Sequence, residues 1–154
     1  MTSPPVTVRE AAAEDLAALV TLDEITSGLA KPDYWRDLFA RYVEDRASGR
    51  YVLVAESEGV VIGFVTGAVR AWEFGSPPCG WVFGVGVTPE RREHGIGRSL
   101  VQELCRRFRE AGVDLVRTSV SNRDTLNLAF FRSFGMTAGP YVQLEMSLDS
   151  VDAA

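Results

Sequence analysis

The sequence predicts a mixed α/β domain in the order βααβββαβαβ. Three observations carry that expectation. Apolar residues recur at helical spacing up to about residue 45, and from Tyr51 the period drops to two. Glu58-Gly59 sits between two β-rich runs, as a hairpin turn does. A strongly amphipathic helix then lies between two further strand-like runs, which makes a strand–helix–strand crossover.

In chain order, Val6 to Arg9 reads as a short strand and Ala12 to Ile25 as a helix striped by Leu16, Leu19, Leu22 and Ile25. Ser27-Gly28 ends it. Pro32 suits the first turn of a second helix running to Asp45, with Trp35, Leu38, Phe39, Tyr42 and Val43 at helical spacing. YVLVAES and VVIGFVTGAVR form the hairpin, and a loop rich in Gly and Pro leads to a third strand, Trp81 to Val87. Gly97 to Ala111 is a helix with Leu100, Val101, Leu104, Cys105 and Phe108 on one stripe, stopped by Gly112. Leu115 to Val120 reads as strand, Asp124 to Phe134 as helix, and Tyr141 to Leu148 as a last strand.

Composition excludes several classes. The chain has 154 residues, of which 46% are hydrophobic and 24% charged, as expected of one globular domain spanning 1–154. The net charge of −5 argues against a general nucleic-acid partner. The longest apolar stretch, Gly59 to Val69, is too short to cross a bilayer. The start, MTSPPVTVRE, has neither the charged nor the apolar region of a signal peptide. Cys79, Cys105 and His94 are too few for a Cys/His zinc site, so no metal is expected, and two isolated thiols fit a cytoplasmic setting.

The most informative segment runs from Val85 through Thr88-Pro89-Glu90-Arg91-Arg92-Glu93-His94-Gly95-Ile96-Gly97-Arg98. A strand ends, a glycine loop follows, and a helix begins. Glycines let a ligand approach the backbone, and the unpaired N–H groups of a helix start attract an anion. Arg91, Arg92 and Arg98 add charge. No GxxxxGK[ST] occurs, and GxGxxG fails because Leu100 stands where a third Gly belongs, so neither common nucleotide fingerprint applies.

Arg92-Glu-His-Gly95-Ile-Gly97 resembles the Arg/Gln-x-x-Gly-x-Gly/Ala signature of the GNAT superfamily of N-acetyltransferases, and its flanks, Val87-Thr-Pro89-Glu90 and the apolar helix, match too. Phe130-Phe-Arg-Ser-Phe-Gly135-Met136 is similar to the end of that family's second cofactor segment. In register, the family's Asn falls on Asp124, with Asn122 close by, and its Ala falls on Asn127. The resemblance implies the GNAT fold, a mostly antiparallel mixed sheet of about six to seven strands flanked by four helices. It implies acetyl-CoA as co-substrate and a small cationic amine or peptide as acceptor, attacked directly in a ternary complex, with no membrane partner. A homodimer is one assembly found among such relatives.

The cofactor contacts it implies are Val85, Gly86 and Val87 on the third sheet strand, Arg91 to Arg98 in the loop, and Asn122, Asp124 and Phe131 beyond it. Alternation along the strand would put Trp81, Phe83, Val85 and Val87 on one face and Val82, Gly84 and Gly86 on the other. Two positions depart from the family's pattern: Phe83 stands where relatives often carry a Glu, and Phe131 where they carry the Tyr that protonates the leaving thiolate. Neither phenyl ring moves a proton. A non-catalytic or regulatory acyl-CoA-binding module is therefore the alternative to an enzyme. The substitutes are Glu73 as general base, its pKa raised between Trp72 and Phe74, and Tyr141 as general acid. Asp23, Glu24, Asp33, Tyr34 and Trp35 flank the Gly28 break, where the family places its acceptor-lining loop.

Charge divides the chain. Residues 1–77 hold 7 basic and 12 acidic side chains, whereas the nine basic residues after 77 are all Arg and lie between Arg91 and Arg132 among only five acids. Guanidinium groups suit phosphate. Lys31 is the chain's one lysine.

Overall fold

Five strands form one sheet in the order β1-β2-β3-β4-β5 in the computed structural model, which describes residues 3–46 and 48–153. β1 (Thr7–Glu10), β2 (Arg50–Ser57), β3 (Val60–Arg70) and β4 (Cys79–Val87) pair antiparallel in succession, and β5 (Val116–Thr118) joins β4 in parallel. The helices are α1 (Leu16–Ser27), α2 (Pro32–Phe39), α3 (Ile96–Glu110) and α4 (Thr125–Arg132). The chain divides into two compact units, Met1–Ser119 and Val120–Ala154.

In the first unit, each face of the sheet is covered by the helices whose stripes fit it. Leu19, Leu22, Trp35, Leu38 and Phe39 of α1 and α2 pack with Val52, Val54 and Phe64. Leu100, Leu104 and Phe108 of α3 are buried on the other side, with α3 packed on β2, β3 and β4. A buried Leu or Phe contributes about 1.5–3 kcal/mol, so the α3 stripe alone is a large share of the unit's stability. The hairpin turn forms as expected, with Glu58 and Gly59 both at positive φ.

The second helix ends sooner than its spacing predicts. α2 stops at Phe39 and the chain widens into a π turn over Ala40–Glu44, where the Asp45 N–H donates to the Ala40 carbonyl. Periodicity sees apolar spacing, and one wider turn barely alters it.

The second unit corrects the sequence reading more sharply. Tyr141 to Leu148 does not form a strand, and Leu148–Ala153 is a 3-10 turn. The sheet therefore has five strands rather than six or seven. Alternation specifies a two-faced segment, but the ladder comes from a neighbouring strand. Among the described residues the second unit contains no strand to supply one.

Candidate functional site

The site grows out of a single irregularity in β4. Thr66 of β3 pairs with Gly84, while the next residue, Gly67, pairs with Val82, so Phe83 is an extra, bulged residue. The bulge inverts the alternation expected for this strand. A Cβ on Gly80 would lie 2.3 Å from Phe108 Cδ2 on the α3 side, whereas a Cβ on Gly86 would lie 2.6 Å from Phe64 Cε1 on the α1–α2 side. Without the extra residue both would share a face. Trp81, Gly84 and Gly86 consequently face α1 and α2, and Val82, Val85 and Val87 face α3. Phe83 itself is partly exposed.

The same strand loses its outer neighbour at the bulge. β5 pairs with Gly80, Trp81 and Val82, and the last contact is the Thr118 hydroxyl donating to the Val82 carbonyl at 3.0 Å. Among the described residues, no strand pairs with β4 on that side from Phe83 to Val87. A glycine-rich backbone edge therefore runs toward the loop.

That edge leads into the glycine loop. Gly95 caps α3 in the left-handed region, at φ 76°, and a Cβ there would meet nothing within 4 Å. Glycine is required for its conformation, and the space around it is open. The N–H groups of Ile96 and Gly97 begin α3, and the start of a helix is where an anion is favoured. Glu93 also takes a positive φ, at 66°. His94 Nδ1 lies 2.7 Å from the Arg92 carbonyl, and Arg92 Nε donates weakly to the Val87 carbonyl at 3.3 Å. Arg91 extends to the Ser57 hydroxyl and the Pro4 carbonyl, both at 3.4 Å.

On the α1–α2 face, Asp23 and Trp35 are buried and joined. Trp35 Nε1 donates to Asp23 Oδ2 at 2.9 Å, and Lys31 Nζ meets the same oxygen at 3.0 Å. Trp35 stands edge-on to Phe64, with centroids 5.1 Å apart, and Phe64 covers Gly86. One indole and one phenyl ring thus connect the α1–α2 junction to β4. Asp33 pairs with Arg36 in solvent, and Tyr34 is half exposed. Sequence reading placed Asp23 beside an acceptor loop and missed its interior role. The signal was present: Asp23 lies four residues after Leu19, on the helix's own apolar stripe.

Glu73 reverses its expectation. Arg70 donates to both of its oxygens, at 2.6 and 2.5 Å, and this pairing holds the carboxyl below its usual range instead of raising it. The aromatic neighbours do not bury it: Trp72 and Phe74, both at positive φ, point to solvent.

In the second unit, Asp124 caps α4. It accepts from the Asn127 N–H at 3.0 Å and from Asn127 Nδ2 at 2.7 Å. Asn122 is exposed in the preceding turn, and Phe131 is buried on α4 against Phe130. Tyr141 is exposed and starts no strand, and Glu145 accepts from Gln143. Among the described residues no group of three or more His, Cys, Asp or Glu could hold a metal, and no helix is long and apolar enough to cross a membrane.

A family model described as the acetyltransferase (GNAT) family matches residues 16–136. The chain belongs to the GNAT acetyltransferase family. This GNAT chain is 31% identical over 98 residues to an L-2,4-diaminobutyric acid acetyltransferase of Nocardia farcinica (strain IFM 10152), covering 64% of this chain and 49% of the relative. It is 35% identical over 85 residues to a mycothiol acetyltransferase of Thermobispora bispora, covering 54% of this chain and 29% of that protein. It therefore spans about half or less of these relatives' lengths. In fold it is similar to the aminoglycoside N-acetyltransferase AAC(6')-Iy in complex with CoA, with a TM-score of 0.83 at 17% identity over 96% of this chain and 97% of that one.

Proposed function

We propose that this GNAT chain, acting over 1–154 as one domain, transfers the acetyl group of acetyl-CoA to a primary amine by direct attack in a ternary complex. The observation that carries the proposal is the open β4 edge from Phe83 to Val87, leading to the glycine-capped start of α3. Two features of the chain fit the co-substrate. Gly95 leaves room beside the N–H groups that begin α3, where a pyrophosphate gains from the helix dipole by about 0.3–1 kcal/mol. Gly84 and Gly86 let Phe64 pack directly on the β4 backbone, which holds the strand that carries the open edge.

In that reading each part of the chain has one task. The α3 N-terminus, with Arg92, His94 and Arg98 around it, holds the phosphates. Backbone groups of Val85 and Val87 hold the extended pantetheine arm. A main-chain N–H at the bulge faces the thioester oxygen and stabilises the negative charge that develops there as the amine attacks. A base must take the proton from the attacking amine, and an acid must protonate the departing thiolate. Diaminobutyrate and mycothiol acetyltransferases among the relatives support a small acceptor carrying a free amine.

Release of free thiol from acetyl-CoA in the presence of an amine panel tests the proposal. Release with at least one amine is the expected result. Measurable acetyl-CoA binding with no release from any amine would establish instead the binding-module alternative, which Phe83 and Phe131 favour because neither transfers a proton.

A further inference from the structure

One arginine in the acidic half of the chain lacks the partner that its counterparts have. Residues 1–77 hold 7 basic side chains, and all but one meet a carboxylate: Arg9, Lys31, Arg36, Arg41, Arg46 and Arg70. Arg50 is the exception among the described residues of the first unit. Its guanidinium donates weakly to the Arg41 carbonyl, at 3.4 Å, and lies 5.8 Å from the centre of the Tyr42 ring. An arginine without an acid, in a half that holds 12 of them, is set for an anion from outside the chain.

A cleft opens beside it. With a volume of about 290 Å³, it lies among the end of β1, the π turn and the start of β2. Its apolar lining is the core itself, where Ala11, Val43 and Val52 are buried. Tyr42 and Tyr51 are half-buried and add two rings, Tyr51 being held edge-on by Phe108 at 5.7 Å. The charged lining is Glu10, Arg46 and Arg50. Both Glu10 oxygens are taken, one by Arg46 at 2.7 Å and one by Arg107 at 2.6 Å. One acid against two arginines leaves the lining positive.

Two backbone irregularities build this cleft. The π turn over Ala40–Glu44 carries Tyr42 and Val43 into it, and Arg46 follows at positive φ, 34°. Wide turns and strained residues cost stability and collect where a chain serves a ligand. The cleft is also remote from the glycine loop. Arg50 pairs with Ala68 and Ala68 with Trp81, whereas the loop follows Val87, which pairs with Gly63 and through it aligns with Ala55. From Arg50 to Ala55 is about 16 Å along β2, and β2 is itself two strands from β4.

We propose that this cleft is a second ligand site, which takes a small carboxylate with a planar apolar body. The Arg50 fork matches the two oxygens of a carboxylate. The rings of Tyr42 and Tyr51, with Val43 and Val52 behind them, take the body, a contact that a bare inorganic ion does not make. The volume is at the small end for ligand sites, which admits one ring and its carboxylate rather than a coenzyme. None of these residues belongs to the glycine loop or the open β4 edge, so the inference is independent of the acetyl-transfer reading.

Benzoate is the probe, followed through the backbone amide shifts of the full chain, with and without added CoA. Saturable shifts are expected at Gly49, Arg50 and Tyr51, with a Kd of about 0.1–1 mM that CoA does not alter. Benzylammonium has the ring with the opposite charge, and acetate has the carboxylate without the ring. Each should bind about ten-fold more weakly or less. Arg50→Ala should weaken benzoate about ten-fold, and Arg50→Lys should recover part of the loss. Arg36→Ala, at an exposed ion pair outside the cleft, should leave binding unchanged. Urea midpoints report that each variant is folded. No saturable shift with benzoate up to about 20 mM would overturn the proposal. So would competition from CoA, which would put benzoate in the cofactor site, or full affinity in a folded Arg50→Ala. Acetate binding as tightly as benzoate would overturn it too, leaving an adventitious ion only.

Discussion

Trp35 Nε1 donates a 2.9 Å hydrogen bond to Asp23 inside the α1–α2 layer, and Lys31 meets the same carboxylate oxygen from the solvent side at 3.0 Å. The indole bond is buried, whereas Lys31 is about a third exposed. Replacing Asp23 by Ala leaves a buried N–H without its acceptor and should cost about 2–3 kcal/mol. Lys31→Ala should cost under about 1 kcal/mol, as expected for an ion pair open to water. Urea midpoints measure both. Equal costs would mean that the ion pair, not the indole bond, holds the layer.

Gly86 and Gly95 are both glycines for reasons that a single substitution separates. At Gly86 an added methyl group meets Phe64 at 2.6 Å, so Gly86→Ala should destabilise the fold by about 1–3 kcal/mol through overpacking. At Gly95 the space is open and only the positive φ objects, so Gly95→Ala should cost about 1 kcal/mol of stability. The same change disturbs the anion site and should raise the KM for acetyl-CoA about five-fold, with little change in kcat. A Gly95 variant with unaltered KM would remove the loop from the cofactor site.

Glu73→Gln should leave kcat/KM at pH 7 within about two-fold of the parent, because a carboxylate paired with Arg70 and held below its usual range is a weak proton acceptor. A ten-fold loss would restore Glu73 as the base.

Acid should weaken the first unit at identifiable carboxylates. Arg9 donates to both oxygens of Asp15, and that pairing, foremost among the causes, lowers the Asp15 pKa in the folded state. A lowered carboxyl contributes stability above its unfolded value of about 3.9, and the contribution is lost as pH falls through the folded value. Glu103, held at about 2 by Arg106 and Arg107, behaves in the same direction. Stability should therefore be flat from pH 7 to 5 and fall below about pH 4. Asp15→Asn should be less stable at neutral pH and show a shallower fall, read from melting temperatures across that range. A parallel fall in both proteins would shift the cause to other acids.

The elements of the first unit were legible because each is written locally: a period of two in β2 and β3, a stripe on α3, a glycine at the start of α3. The glycine loop before α3 was legible for the same reason, since its six residues from Arg92 to Gly97 are consecutive. The rest depended on residues far apart in the chain. Nothing in the β4 run shows that Thr66 and Gly67 of another strand skip Phe83 between them. Glu73 was misjudged because its neighbours in sequence are aromatic while its neighbour in space is Arg70. The last segment was misjudged differently: its alternation is real, and the strand it describes needs a partner that its own unit lacks.

The extra residue in β4 has a consequence for how this chain tolerates change. Exchanging Phe83 for another side chain alters one partly exposed group. Deleting it would roll every residue from Gly84 to Val87 half a turn, driving Val85 and Val87 into Phe64 and presenting two glycines to α3. Length, not identity, is the constrained quantity at this position, so variants of this chain should vary freely in what stands at residue 83 and hardly ever in whether a residue stands there.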